Sequence, residues 1–204
     1  MMPQTADLNA IADALTAQGW IVLPAFLSAA EAAALAADCR ALDAAAALTP
    51  AATGRESGRR EGGLRGDRTR WFEPDALSPP QAAYWQAMDA LRRGLNERLL
   101  LGLESVEAHY AVYPPGAGYA RHRDRFRDDD ARVLSSVCYL NPDWQANDGG
   151  ALRLHLGNRL HDIAPQAGTL VLFLSADIEH EVLPATRERL SIAGWFRRRE
   201  LGSR

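Results

Sequence analysis

The chain has 204 residues, 47% of them hydrophobic and 24% charged, with a formal net charge of −3. That is room for one domain with a sizeable core, and the charge balance offers no global attraction for nucleic acid or an anionic membrane. All 23 basic residues are arginine, which excludes lysine chemistry, and Cys39 and Cys138 form neither a disulfide framework nor a metal-type pair.

In chain order, the first twenty residues carry Asp7 and Asp13 without a basic segment, and no stretch is apolar for long enough to span a bilayer. The expected location is cytoplasmic. Leu8, Ile11 and Leu15 recur at helical spacing and stop at Gly19, after which "WIVLP" has strand composition. Ser28 with Glu31 makes a capping box for an alanine-rich helix. Residues 49–63, "TPAATGRESGRREGG", hold no large apolar side chain and read as a loop, long for a mere connection. After a strand-like "RTRWF", Pro79 and Pro80 open a helix with Tyr84, Met88, Leu91, Leu95 and Leu99 on one face. From Val106 the pattern changes. The segments "VEAHYAVY", "RVLSSVCYL", "ALRLHL", "GTLVLFL" and "RLSIAGWF" alternate with Pro, Gly and Asn turns, as in an antiparallel sandwich or jelly roll.

The charged stretch "YARHRDRFRDDD", residues 119–130, sorts by parity once it is read as a strand and its exit. His122 and Asp124 then share one face, and Arg121, Arg123 and Arg125 the other. A His-x-Asp pair on a strand is two-thirds of a facial triad, which holds iron(II) with two histidines and a carboxylate and leaves coordination positions open. The pair alone is a weak signal in a chain with five histidines, so a third ligand is required. His180, in "SADIEHEVLP", is the candidate.

On the last strand Arg189, Ser191, Ala193 and Trp195 share a face. A buried guanidinium cannot shed its proton and needs an anion, yet no acidic residue shares that face. A dicarboxylate co-substrate would meet the need through paired hydrogen bonds, and Tyr139, at the parity of Ser135 and Val137, would add a hydroxyl. The plainer alternative is a buried salt bridge with core histidines. His155 alternates with leucines and points outward, His161 has no partner at ligand spacing, and His109 shares parity with Tyr113 and so would line the pocket.

The segments "RGDRTRWF", "YPPGAGYARHRD", "CYLNPDW", "DGGALRL", "HEVLPA" and "RLSIAGWF" resemble, in order and spacing, those of the iron(II)/2-oxoglutarate-dependent oxygenases, within the prolyl hydroxylase branch. The resemblance runs from about Leu64 to Phe196. It implies a double-stranded β-helix core (jelly roll, cupin-like) over 106–197, with helical support and a finger loop (53–65) within 1–105, as one domain over 1–204. It assigns His122, Asp124 and His180 to iron, and Arg189 with Tyr139 to the distal carboxylate of 2-oxoglutarate. Tyr113 would sit beside the co-substrate, with Leu152, Ser191 and Trp195 completing its pocket. Asp67 and Arg132 would pair to brace the finger loop. The resemblance also implies dioxygen as the oxidant, ascorbate as a reductant, and succinate and carbon dioxide as co-products. The implied target is an exposed proline in a cytosolic protein such as a translation factor or a regulator. A nucleobase or a free amino acid is the alternative substrate, and a metal-binding module without catalysis is a third reading.

Overall fold

The computed structural model describes residues 7–51, 65–124 and 131–199. Helix α1 (Leu8–Gln18) is capped by Asp7 and ends at Gly19, whose φ of +80° lies where a side chain would clash. Strand β1 (Trp20–Leu23) follows directly. Helix α2 (Ala29–Ala44) begins with the Ser28–Glu31 capping box, and after β2 (Thr49–Pro50) and β3 (Arg68–Trp71) helix α3 (Pro79–Leu99) opens on its two prolines. The remaining strands are β4 (Leu103–Tyr113), β5 (Tyr119–His122), β6 (Arg132–Tyr139), β7 (Leu152–Leu156), β8 (Arg159–Ile163), β9 (Leu170–Leu174), β10 (Glu179–Val182) and β11 (Arg189–Arg198).

These strands form two antiparallel sheets, a large one in the order β1-β9-β6-β11-β4-β3-β2 and a small one in the order β5-β10-β7-β8. The large sheet is covered on both faces. Leu134, Cys138, Leu170, Leu172, Leu190, Ile192 and Phe196 face the helices and pack on Ile11, Leu35, Met88, Leu91 and Leu95. Alternate residues of the same strands, among them Tyr113, Tyr139, Val171 and Phe173, face the small sheet and meet its Leu152, Leu154, Ile163 and Val182. Two stacked sheets of this kind make the expected jelly roll, a double-stranded β-helix with helices on its back.

Burial on both faces explains why β9 lacks polar alternation in the sequence. Two strands escaped the sequence reading for a related reason. β10 is four residues long with two glutamates turned outward, and β8 exposes Leu160, so neither carries an apolar run. β2 falls inside a span read as loop, paired with β3 through Thr49 and Pro50. The N-terminal part thus supplies strands as well as helices to the large sheet. The finger-loop expectation lies outside the described residues except for Arg65, and the expectation for Arg125 lies wholly outside them. No described helix is long and apolar enough to cross a membrane.

Helix α2 is joined to the sheet through Asp38, whose carboxylate accepts from the Tyr110 hydroxyl at 2.8 Å and the Gln81 amide at 2.9 Å. Tyr110 and Gln81 are both buried, so losing their acceptor strands two donors away from water. Asp38→Ala is expected to lower unfolding free energy by about 1–3 kcal/mol in urea titrations, with metal binding unaffected.

Candidate active site

His122 and His180 stand directly opposite each other in the β5–β10 ladder, so both imidazoles project from the same face of the small sheet. Asp124, two residues beyond His122, reaches the same point. Its Oδ1 lies 3.4 Å from His122 Nε2 and its Oδ2 3.6 Å from His180 Nε2, and the three ligand atoms lie within 4.8 Å of one another. Each imidazole has its Nδ1 on a backbone carbonyl, that of Ala120 at 2.7 Å for His122 and of Ile178 at 3.2 Å for His180. A carbonyl only accepts, so Nδ1 carries the proton and Nε2 turns its lone pair towards the carboxylate. Two lone pairs and a carboxylate converging without a proton between them are a donor set for a divalent cation.

Support for Asp124 comes from Ser135, whose hydroxyl donates to Oδ2 at 2.7 Å and in turn accepts from Ser175 at 2.9 Å. Burial alone would raise the Asp124 carboxyl, but His180, His122 and the Ser135 hydrogen bond outweigh it and hold the group well below the usual carboxylate range. Burial also lowers His180, which keeps its Nε2 lone pair available. Ser135 shares the parity of Val137 and Tyr139, so a polar residue on the inner face was legible in the sequence, but not its role.

A second cluster forms where β11 lies between β4 and β6. Register sets Arg189 opposite Tyr113 and Ser191 opposite Tyr139, all four on the inner face. Arg189 is 1% exposed; its Nε donates to the Gly150 carbonyl at 2.9 Å and one terminal nitrogen to Ser191 Oγ at 3.2 Å. Among the described residues neither the other terminal nitrogen nor the Tyr139 hydroxyl, both buried, has a partner within hydrogen-bond geometry. The guanidinium sits 5.2 Å from both the Tyr113 and Tyr139 ring centroids, and Leu152 is buried in the same inter-sheet core. Gly150 is required for this approach: a Cβ there would come within 2.9 Å of the Ala185 Cβ and 3.1 Å of the Trp144 ring. The cluster is a buried group of hydrogen-bond donors with the geometry to receive a carboxylate.

Trp195 lies further along β11 on that face, its ring under the Arg132 guanidinium at 3.7 Å and 5.6 Å from the His109 ring. Trp71, 46% exposed, packs edge-on against His109 at 4.7 Å. The expected Asp67–Arg132 pair is not formed. Asp67 is buried and bonded through both oxygens to Arg65 at 2.5 and 2.8 Å, while Arg132 binds Glu107 at 2.8 Å. Arg65 is oriented to reach Asp67 with both prongs of its fork, whereas the Arg132 guanidinium is turned to Glu107. His155 lies on the outer face of the small sheet, bonded to Glu181 at 3.0 Å, and the His161 ring packs at a tilt against Trp20 at 4.5 Å; neither joins the His122, Asp124 and His180 group. Arg121 and Arg123 point outward and pair with Glu179, as parity requires.

A protein-family model described as the 2OG-Fe(II) oxygenase superfamily matches residues 108–197, the span that holds both clusters. The crystal structure of a Pseudomonas putida prolyl-4-hydroxylase superposes with a TM-score of 0.86 at 50% sequence identity, covering 94% of this chain and 99% of that one. The chain belongs to the 2OG-Fe(II) oxygenase superfamily, in its prolyl hydroxylase branch. Iron(II), 2-oxoglutarate and dioxygen are the cofactor set of this family. A prolyl hydroxylase from Trichoplax adhaerens, solved in complex with a hypoxia inducible factor oxygen degradation domain peptide, aligns at 27% identity and a TM-score of 0.85 over 93% of this chain and 88% of that one. Human Egl nine homolog 1 is 34% identical over 143 residues, which is 65% of this chain. The chain spans about a third of the length of that curated relative, the match covering 33% of it.

One buried group of the oxygenase gives its stability a pH dependence. Burial and the nearby Arg65 push His109 down to about 4, and its Nδ1 donates to the Tyr110 carbonyl at 2.9 Å. The unfolded chain takes up this proton near pH 6.5 and the folded one near 4. The His109 contribution is therefore complete above about pH 6.5 and declines as pH falls towards 4. Urea unfolding from pH 7 to 4 is expected to show a shallower loss of stability in His109→Leu than in the parent.

Proposed function

We propose that this chain is an iron(II)- and 2-oxoglutarate-dependent dioxygenase that hydroxylates a prolyl residue of a protein, with succinate and carbon dioxide as co-products. The observation that carries the reading is the unmet cradle: a buried Arg189 nitrogen and a buried Tyr139 hydroxyl on the inner face of the large sheet, together with the converging His122, Asp124 and His180 carried by the small sheet opposite. A buried salt bridge would leave neither group without a partner.

In this reading His122, Asp124 and His180 hold the iron, which when bound supplies the activation of dioxygen coupled to oxidation of 2-oxoglutarate. Arg189 and Tyr139 take the distal carboxylate of the co-substrate by a charge-assisted fork and a phenolic hydrogen bond, with Ser191 fixing one arm of the fork. Tyr113 and Leu152 flank the chain of the co-substrate and keep water from it, and Trp195 walls the side towards the target. Burial raises the Tyr139 phenol against the pull of Arg189, so Tyr139 stays protonated and donates. Ser135 holds Asp124 ionised and in place. Ascorbate serves as reductant between turnovers.

The reading treats 1–204 as one oxygenase domain, with a core over 106–197, helical support in 1–105 and a substrate-closing finger over 53–65. The peptide in the T. adhaerens complex supports a protein target. The target proposed is a cytosolic protein presenting proline in an exposed loop, such as a translation factor or a regulator, and the enzyme is proposed to act in the cytoplasm. The test is mass spectrometry of a cell lysate incubated with and without enzyme, iron(II) and 2-oxoglutarate. A gain of about 16 Da on proline supports the reading, since the chemistry adds one oxygen; oxidation of a free amino acid or a nucleobase instead refutes it.

His122→Ala, Asp124→Ala and His180→Ala are each expected to abolish succinate release, because a three-ligand site that loses one ligand loses affinity and geometry together. Arg189→Lys replaces a planar fork with a point charge. The loss of a charge-assisted hydrogen bond costs about 1.5–3 kcal/mol, so the apparent KM for 2-oxoglutarate should rise on the order of ten- to a hundredfold in steady-state assays.

A further inference from the structure

Strand β5, which carries His122, is the outer strand of the small sheet and is tied to β10 by two ladder pairs with an irregularity between them. A strand so lightly held does not by itself fix an imidazole to the tolerance of a metal site. The Tyr119 ring lies almost flat on that imidazole, with centroids 3.7 Å and planes 21° apart. The Arg65 guanidinium lies 4.9 Å from the Tyr119 ring centroid, and residues 65 and 119 form an antiparallel bridge. Beside it, Gly66 N–H donates to the Gly118 carbonyl at 3.0 Å. Arg65 is fixed in turn by the two hydrogen bonds to Asp67, whose side chain is fully buried. The packing leaves no slack: a Cβ on Gly66 would come within 2.8 Å of the Ala117 Cβ, and one on Gly118 within 2.5 Å of the Val182 carbonyl oxygen. Residues 117–119 are clamped between the 65–67 segment and β10.

We propose that Arg65 and Asp67 are positioning residues for the metal centre: their ion pair holds the Tyr119 ring, and that ring holds the His122 imidazole in its ligating orientation. The inference rests on the reading of His122 as a ligand. A simple root for the 65–67 segment would not need an aromatic ring laid between the guanidinium and the imidazole. The pair acts through Tyr119, not on the metal, so its removal changes how well the site binds an ion before any substrate is present.

The test uses the full chain freed of metal and titrated with Co(II), whose visible absorption reports both affinity and coordination geometry. Tyr119→Leu is expected to weaken Co(II) binding about tenfold, the lower end of what loss of a group supporting a ligand produces, and to alter the spectrum. Tyr119→Phe keeps the ring and should bind as the parent does. The charge-free Arg65→Met/Asp67→Leu variant removes the pair without stranding a buried charge, and should reproduce the Tyr119→Leu loss. Combined with Tyr119→Leu it should add nothing further, since both act along one line. Additive losses, or parental affinity in the charge-free variant, overturn the proposal. Tyr119→Leu leaves the ion pair in place, so its comparison with Tyr119→Phe decides the matter even where the charge-free variant does not fold. In that case equal Co(II) affinity in Tyr119→Leu and Tyr119→Phe overturns it. His122→Ala separates the two levels. Parental Co(II) binding in that variant overturns the ligand reading itself, whereas loss of binding there together with parental binding in Tyr119→Leu overturns the positioning inference alone.

Discussion

The register of β11 between β4 and β6 is the constraint on which the site depends. Sliding β11 by one residue would turn Arg189 and Ser191 towards the helices and Leu190 and Ile192 into the pocket, because side chains alternate with a period of two. The apolar face forbids that slip: Leu190, Ile192 and Phe196 are buried against α1, α2 and α3, and a guanidinium in their place would face hydrocarbon. Helix packing on the back of the sheet therefore fixes which groups line the front. The hydrophobic effect does the aiming: the helices pack in one core cluster, while Tyr113, Tyr139 and Leu152 belong to the other.

The metal cluster is built by a different device, on the sheet opposite. His122 and His180 meet as a cross-strand pair on two short, polar strands, where little apolar burial is available to set geometry. Hydrogen bonds and ring stacking take over that task. Both Nδ1 protons are fixed by local carbonyls, Asp124 is fixed by Ser135, and His180 packs on Phe173 at 4.6 Å. The carboxylate support originates on β6 of the large sheet, so the two sheets share the site.

Much of this was legible in the sequence, where chemistry coincided with strand parity. His122 with Asp124, and Arg189 with Ser191, could be placed on common faces from spacing alone, and the helices could be read from caps and apolar periods. What was not legible depends on strands without an apolar signal. β8 and β10 owe their existence to pairing with β7, not to composition, so the face of His180 followed only once the ladder was known. The partner of Asp67 was misassigned for a similar reason. Sequence distance says nothing about whether Arg65 or Arg132 is oriented to reach it, and both are arginines near the same wall. The outer support by Ser135, Ser175 and Tyr119 requires contacts between elements far apart in the chain, which no local pattern encodes.

The unmet donors of Arg189 and Tyr139 carry a consequence for how long the protein survives. Two buried polar atoms without a hydrogen-bond partner among the described residues, which water satisfied in the unfolded chain, weigh against the folded state. In the proposed reading a carboxylate bound there would satisfy them, and each tenfold rise of ligand above its dissociation constant would add about 1.4 kcal/mol to folding. If 2-oxoglutarate is that ligand, proteolytic turnover would slow when this central metabolite is plentiful and quicken when it is scarce.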